Sequence, residues 1–153
     1  MLVSHFAALE RPNIGTQNAS VSRIVDAWLA NWDVVGMGYD NLKLLKNRAV
    51  RVDTGGGLIY RAQGGSKTST DFGDFVQEIT TLRAPNKNAS AANVFANMTD
   101  AQIEASVARV LVVSDESILE AVRKFGPGDT ADRDELARKL IARKQDLFER
   151  YPK

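Results

Sequence analysis

Asp33, Asn41 and Asp53 are the side chains of this 153-residue sequence whose types and order best suit chemistry. They lie in ANWDVVGMGYDN, residues 30 to 41, and in RAVRVDTGGG, residues 48 to 57. Two carboxylates and an amide, with hard oxygen donors on all three, suit phosphoryl transfer from ATP. That reaction needs a carboxylate to orient or deprotonate the acceptor hydroxyl, and oxygen ligands that hold magnesium between the phosphates. The competing reading is local, because Asp, Asn and Gly favour turns through hydrogen bonds to their own backbone. On that reading Asp33 and Asn41 close a helix-to-strand loop, and Asp53 bonds to amides of the glycine turn behind it.

Either role requires elements that deliver these groups. From Ser20, a candidate cap, Val21, Ile24, Val25, Trp28 and Leu29 recur at helical spacing and predict a helix to about Asn31, with Asp33 just beyond its C-terminal end. LKLLK and AVRVD predict two short strands around a tight turn, and GGGLIYRA a third extended segment. AQGGSKTST reads as a surface loop. Beyond Gly73 the pattern is helical: Phe75, Val76, Ile79 and Leu82 form one stripe, and Ala92, Val94, Phe95 and Met98 another after Pro85. Thr99 with Gln102 forms a capping box before the next apolar face, and DESILEAVRKF stops at Gly126 and Pro127. The last helix starts near Asp129 or Thr130, with Leu136, Leu140, Ile141, Leu147 and Phe148 on one side. The opening dozen residues predict a strand or short helix and a turn. With no repeat or compositional boundary, residues 1–153 read as one domain, mainly α (α+β), with a small β-hairpin near its start.

The order helix, Asp33, Asn41, strand-turn-strand, Asp53, Gly55 resembles the catalytic segment of the atypical protein-kinase-like and phosphoinositide-kinase-like superfamily. There the loop reads Asn-x-Asp-Arg-His-x-x-Asn and the later strand ends in Ile-Asp-x-Gly. The segment VDTGGGLIYRAQG is also similar to kinase-like stretches of bacterial effector and phage-encoded proteins. The resemblance covers residues 20 to 65 and is only topological after that. It implies a kinase C-lobe-like helical domain in which Asn31 and Asp33 match the start of the loop and Asp33 is the catalytic carboxylate. It further implies Asn41 and Asp53 as magnesium ligands, and Asn41, Asp53 and Gly55 as the Mg2+ and ATP contacts. Three departures stand out. The Asp33 to Asn41 spacing is longer, so that Asp40 competes with Asn41 as ligand; Val34 and Val35 replace Arg-His; and no glycine-rich loop or strand lysine precedes the segment. The resemblance therefore implies a phosphotransferase C-lobe with a protein partner that supplies an N-lobe or receives phosphate, a fragment of a longer kinase, or an inert kinase-derived binding or structural module.

Composition narrows the alternatives. With 20 basic and 19 acidic residues the formal net charge is +1, which disfavours nucleic acid as a partner, and no apolar run is long enough to span a membrane. There is no cysteine and one histidine, His5, so metal binding must use oxygen. A cytoplasmic setting, in a bacterium or in a host cell after delivery, is the expectation. Asp71-Phe72-Gly73 repeats a kinase metal triplet but follows no apolar strand, so a helix start near Asp71 or Asp74 is the better reading. The glycines at 55 to 57, 64 and 65 either let backbone approach a phosphate or form a bulged segment. Arg61 and Lys67 either offer charge to a phosphorylated partner or stand solvated. Trp28 and Trp32 read as a core and a loop anchor.

Overall fold

The structure is a computed structural model that describes residues 2, 18–45, 48–53 and 55–152. Among these the chain forms α1 (Asn18–Trp28), β1 (Leu42–Leu45), β2 (Arg48–Arg51), α2 (Glu78–Thr81), α3 (Ala89–Phe95), α4 (Asp100–Leu111), α5 (Asp115–Phe125) and α6 (Thr130–Arg150). The protein is mainly helical, with one two-stranded antiparallel hairpin in which Leu42 pairs with Arg51 and Leu45 with Arg48. His5 and the opening dozen residues, apart from Leu2, lie outside the described residues.

Local signals account for the helix ends. The Thr99 hydroxyl accepts from the Gln102 amide while the Gln102 side chain accepts from Thr99 N, and Asp129 with Asp132 repeats that box at the start of α6. Ser114 caps α5, which stops at Gly126. Asn88 caps α3. Ser20 is no cap, since α1 already begins at Asn18.

The apolar faces bury against one another. α1 packs along α4 and touches α2, β2 and α6, while α6 packs on α5 and α4. Ile24, Trp28, Ile103, Val107, Ile118 and Leu140 are among the side chains that fill the centre. The indole N–H of Trp28 donates to Leu140 O at 2.9 Å, so the largest buried side chain is also polar-satisfied.

Three expectations need correction. GGGLIYRA is not a strand; residues 55 to 59 turn, and only an isolated bridge between Tyr60 and Ser66 remains. Three glycines supply no side chains to a pleated surface, and Leu58 adopts a positive φ of 58° that no strand accommodates. The stripe from Phe75 yields only the single turn of α2: Val76, Ile79 and Leu82 are buried, but Phe75 is 73% exposed. Phe148 also departs from the α6 stripe and is half exposed.

Candidate functional site

The site begins where α1 ends. Asn31 N–H bonds to Asp26 O at 2.8 Å and Ala30 N–H to Ala27 O at 3.0 Å, a Schellman ending in which Ala30 takes the left-handed conformation, φ 52°, usually left to glycine. The carbonyls freed here are met by distant donors. Arg143 of α6 donates through Nε to Trp28 O at 2.7 Å and through Nη2 to Ala27 O at 2.7 Å. Leu58 N–H donates to Leu29 O at 2.6 Å, and Lys67 Nζ to Ala30 O at 2.6 Å. A cation at a helix C-terminus is favoured by both the orphan carbonyls and the macrodipole. Arg143 therefore fixes where the following loop starts.

The loop is anchored by burial on one side and closed by an amide on the other. Val34 and Val35, at the positions where the resemblance has Arg-His, are buried, so apolar packing holds this stretch. Asn41 Nδ2 donates to Asp33 O at 2.8 Å and to Asp33 Oδ2 at 2.9 Å. Both partners are acceptors, which fixes the amide orientation and leaves Asn41 Oδ1 with no protein donor among the described residues. Asp40 instead lies with its carboxylate over Gly36, whose φ of +78° and lack of Cβ make room for it. Of the two neighbours, Asn41 is the one that reaches Asp33.

Asp53 sits at the open end of the hairpin. Val52 N–H donates to Asn41 O at 3.0 Å, which continues the ladder by one step and brings Asn41 and the residue before Asp53 side by side. Asp53 is exposed, and its Oδ1 accepts from Gly55 N–H at 2.8 Å. That is the local turn bond the composition of the stretch suggests, and it uses one carboxylate oxygen. Gly56 then folds back on the loop: a Cβ there would lie 3.1 Å from Asp33 Cβ and 3.2 Å from Asn31 Oδ1. Close backbone approach is the reason for glycine at this position.

Asp33 and Gly56 line a cleft of about 790 Å³, together with Trp32, Met37, Arg61 and Lys67. Arg61 pairs with Asp71 at its rim. Lys67 Nζ donates to both Ala30 O and Gly56 O, the latter at 2.7 Å, and so ties the start of the loop to the glycine turn. Burial pushes the Lys67 ammonium down to about 8, with Glu78 opposing. Asp26, buried beneath, pairs with Arg51 of β2, whose Nε donates at 2.9 Å, and accepts from Asn31 Nδ2 at 3.2 Å, locking the hairpin to α1. Among the described residues, the non-glycine positive φ values fall at Ala30, Tyr39 and Leu58, all in the segments around this cleft. Such conformations cost about 1 kcal/mol or more each and cluster where a surrounding structure dictates them.

Of the predicted residues, Asp33 lines the cleft and Asn41 bonds to it, whereas Asp53 and Gly55 are not among the cleft's lining residues and, among the described residues, connect to the loop only through their neighbours Val52 and Gly56. No group of three or more Asp, Glu or His side chains that could hold a metal unaided occurs among the described residues. The Asp71-Phe72-Gly73 triplet has a structural explanation. Asp71 accepts from Thr68 N and Oγ1 and pairs with Arg61, while Phe72 is buried under Arg143, 5.2 Å from its ring centre. No helix starts at Asp71 or Asp74. From sequence Lys67 stands as either charge for a phosphorylated partner or a solvated residue, and Arg143 has no assigned role. Lys67 sits in a polar glycine-rich stretch, and Arg143 in the charge pattern of α6; the visible signal was only an arginine on the Leu140 to Leu147 face. Among the described residues no helix is long and apolar enough to cross a membrane. No family model, curated protein or solved structure matches this chain.

Proposed function

We propose that the chain is a kinase C-lobe-like phosphotransferase unit that binds magnesium-ATP at the hairpin end, with a partner chain completing the nucleotide pocket. One observation carries the reading: the Asn41 amide is bonded to both the carbonyl and the carboxylate of Asp33 beside a cleft. That bond orients Asp33 and leaves its Oδ1 unengaged by any described residue, as an acid-base or orienting carboxylate requires. It also leaves Asn41 Oδ1 without a donor among the described residues, so that this oxygen can serve as a ligand. The donor set fits magnesium, which takes one or two carboxylates or amide oxygens and completes its shell with phosphates and water. Asn41 and Asp53 would hold the ion, which supplies charge neutralisation between the phosphates. Asp33 positions the acceptor hydroxyl and takes its proton; Gly55 and Gly56 keep the turn close to the loop.

The experiment is a thermal-unfolding titration. Saturation at 100 times Kd stabilises by about 2.7 kcal/mol, roughly 5–10 °C for a chain of this size. Mg-ATP is expected to raise the midpoint and Asp53→Ala to abolish the shift; no shift at millimolar nucleotide refutes the reading. A second reading, an inert interaction module of the same fold, is supported by the exposed apolar side chains of Met37, Tyr39, Val52 and Tyr60 in the segments that border the site. It wins if Asp33→Ala and Asp53→Ala leave the biological role intact.

A further inference from the structure

Resting on that reading, the candidate cleft has an uneven charge arrangement. Arg61 is already paired with Asp71, and Asp33 is held by the Asn41 amide. Lys67 makes no ion pair among the described residues; its partners are two neutral carbonyls, Ala30 O and Gly56 O. An ammonium has three N–H groups, so these two bonds fix its position and leave one donor. The residue is partly buried, which takes away part of the solvation that usually stabilises such a charge. A partly desolvated cation, pinned by backbone and holding a spare donor in the same cleft as the candidate carboxylate, has the form of an anion site.

We infer that Lys67 binds a phosphate group of the cleft's ligand, so that a cation C-terminal to the hairpin grips phosphate in the same cleft as Asp33. The carbonyl clamp supports this. Lys67 is held by the two segments, at Ala30 and Gly56, that flank Asp33, so a phosphate on its free N–H lies within the reach of the same loop. Burial lowers Lys67 to about 8, Glu78 and Asp71 favour its charged form, and Arg143 and Arg61 oppose it. A bound phosphate adds the missing counter-charge and would return the ammonium toward or above its ordinary value.

The test uses the whole chain, with inorganic pyrophosphate and Mg-ATP as probes at pH 7. Calorimetric titration of wild type, Lys67→Met and Asp53→Ala, each first shown to be folded by circular dichroism, gives the affinities. Loss of one charge-assisted bond is expected to weaken pyrophosphate and ATP about 10- to 100-fold in Lys67→Met. Asp53→Ala should weaken Mg-ATP but leave metal-free pyrophosphate unchanged. If Lys67→Met fails to fold, the wild-type protein still decides: in 13C-labelled protein the Lys67 ε-methylene titration must move upward on adding pyrophosphate. Unchanged pyrophosphate affinity in a folded Lys67→Met, or an unmoved titration, overturns the inference. Mg-ATP binding that needs Asp53 but ignores Lys67 overturns it while leaving the proposed function standing. Pyrophosphate binding that needs Lys67 while Mg-ATP ignores Asp53 does the reverse.

Discussion

Replacing Arg143 with methionine should destabilise the protein more than removing any surface ion pair. The Arg143 side chain is fully buried and donates to Ala27 O, Trp28 O, Gly73 O, Phe75 O and Glu78 Oε2, the last at 2.7 Å. Arg143→Met keeps the aliphatic stem but strands a fully buried Glu78 carboxylate. Breaking one side of such a pair costs about 3–5 kcal/mol, and each carbonyl left without a donor adds roughly 1 kcal/mol. A loss of ~5 kcal/mol removes a large part of the 5–15 kcal/mol typical of a domain and lowers the midpoint by about 10–20 °C. Arg138 is the internal control. It bonds Asp74 and Glu135, but its side chain is 51% exposed, so Arg138→Ala should cost under ~1 kcal/mol. Urea unfolding followed by tryptophan fluorescence measures both, because Trp28 is buried beside Arg143. Adding Glu78→Leu to Arg143→Met should recover part of the loss by removing the stranded charge. A cost below 1 kcal/mol for Arg143→Met, or one equal to that of Arg138→Ala, would refute the reasoning.

Gly56→Ala places a methyl group 3.1 Å from Asp33 Cβ, neither of which is the free end of a flexible chain. A loss of about 1–3 kcal/mol is expected, with a displaced Asn41 amide signal by NMR; an unshifted signal and unchanged stability would show that the turn does not press on the loop. Asn41→Ala removes both bonds to Asp33 and should speed amide hydrogen exchange across residues 33–41 while leaving α4 to α6 protected. Lys67 carries a pH dependence whose sign follows from burial. Its ordinary 10.5 falls to about 8 in the folded, ligand-free protein, so the unfolded chain holds more protons between those values and stability rises with pH across that window. Solvent on the open side of the cleft limits the gain to ~1–2 kcal/mol. Urea midpoints at pH 7.5 and 10 should converge in Lys67→Met relative to wild type, and equal pH slopes in the two proteins would refute it.

Much of the architecture was legible because its signals are local. Thr99 and Gln102, Asp129, and the Gly126-Pro127 stop each act within one turn of the helix end they set, and the apolar spacing from Ile24 to Trp28 needs only one face to bury. The hairpin was readable for the same reason. Residues 55 to 82 were not, since their conformation is dictated from afar. Leu58 is bent by a bond to Leu29 O, and the Phe72 to Phe75 stretch is wrapped around Arg143 from the other end of the chain. Asp33, Asn41 and Asp53 were legible as candidates by residue type and order, and the bond from Asn41 to Asp33 is the contact within that set that the structure shows. The clamp that holds Lys67 was not legible, because its partners are backbone carbonyls, which sequence composition does not mark. Val34 and Val35 hold the loop from inside the core, since both are buried.

Paramagnetic broadening by Mn2+-ATP tests the central claim most directly, because manganese takes magnesium's oxygen ligands and marks its own position. In 15N-labelled protein at substoichiometric Mn2+-ATP, the Asn41 side-chain amide and the backbone amides of Gly55 and Gly56 should broaden first, with the α5 and α6 amides unaffected. Asp53→Ala should abolish the effect. Broadening centred on another part of the chain, or none at millimolar nucleotide, would contradict a metal-nucleotide site at the hairpin end.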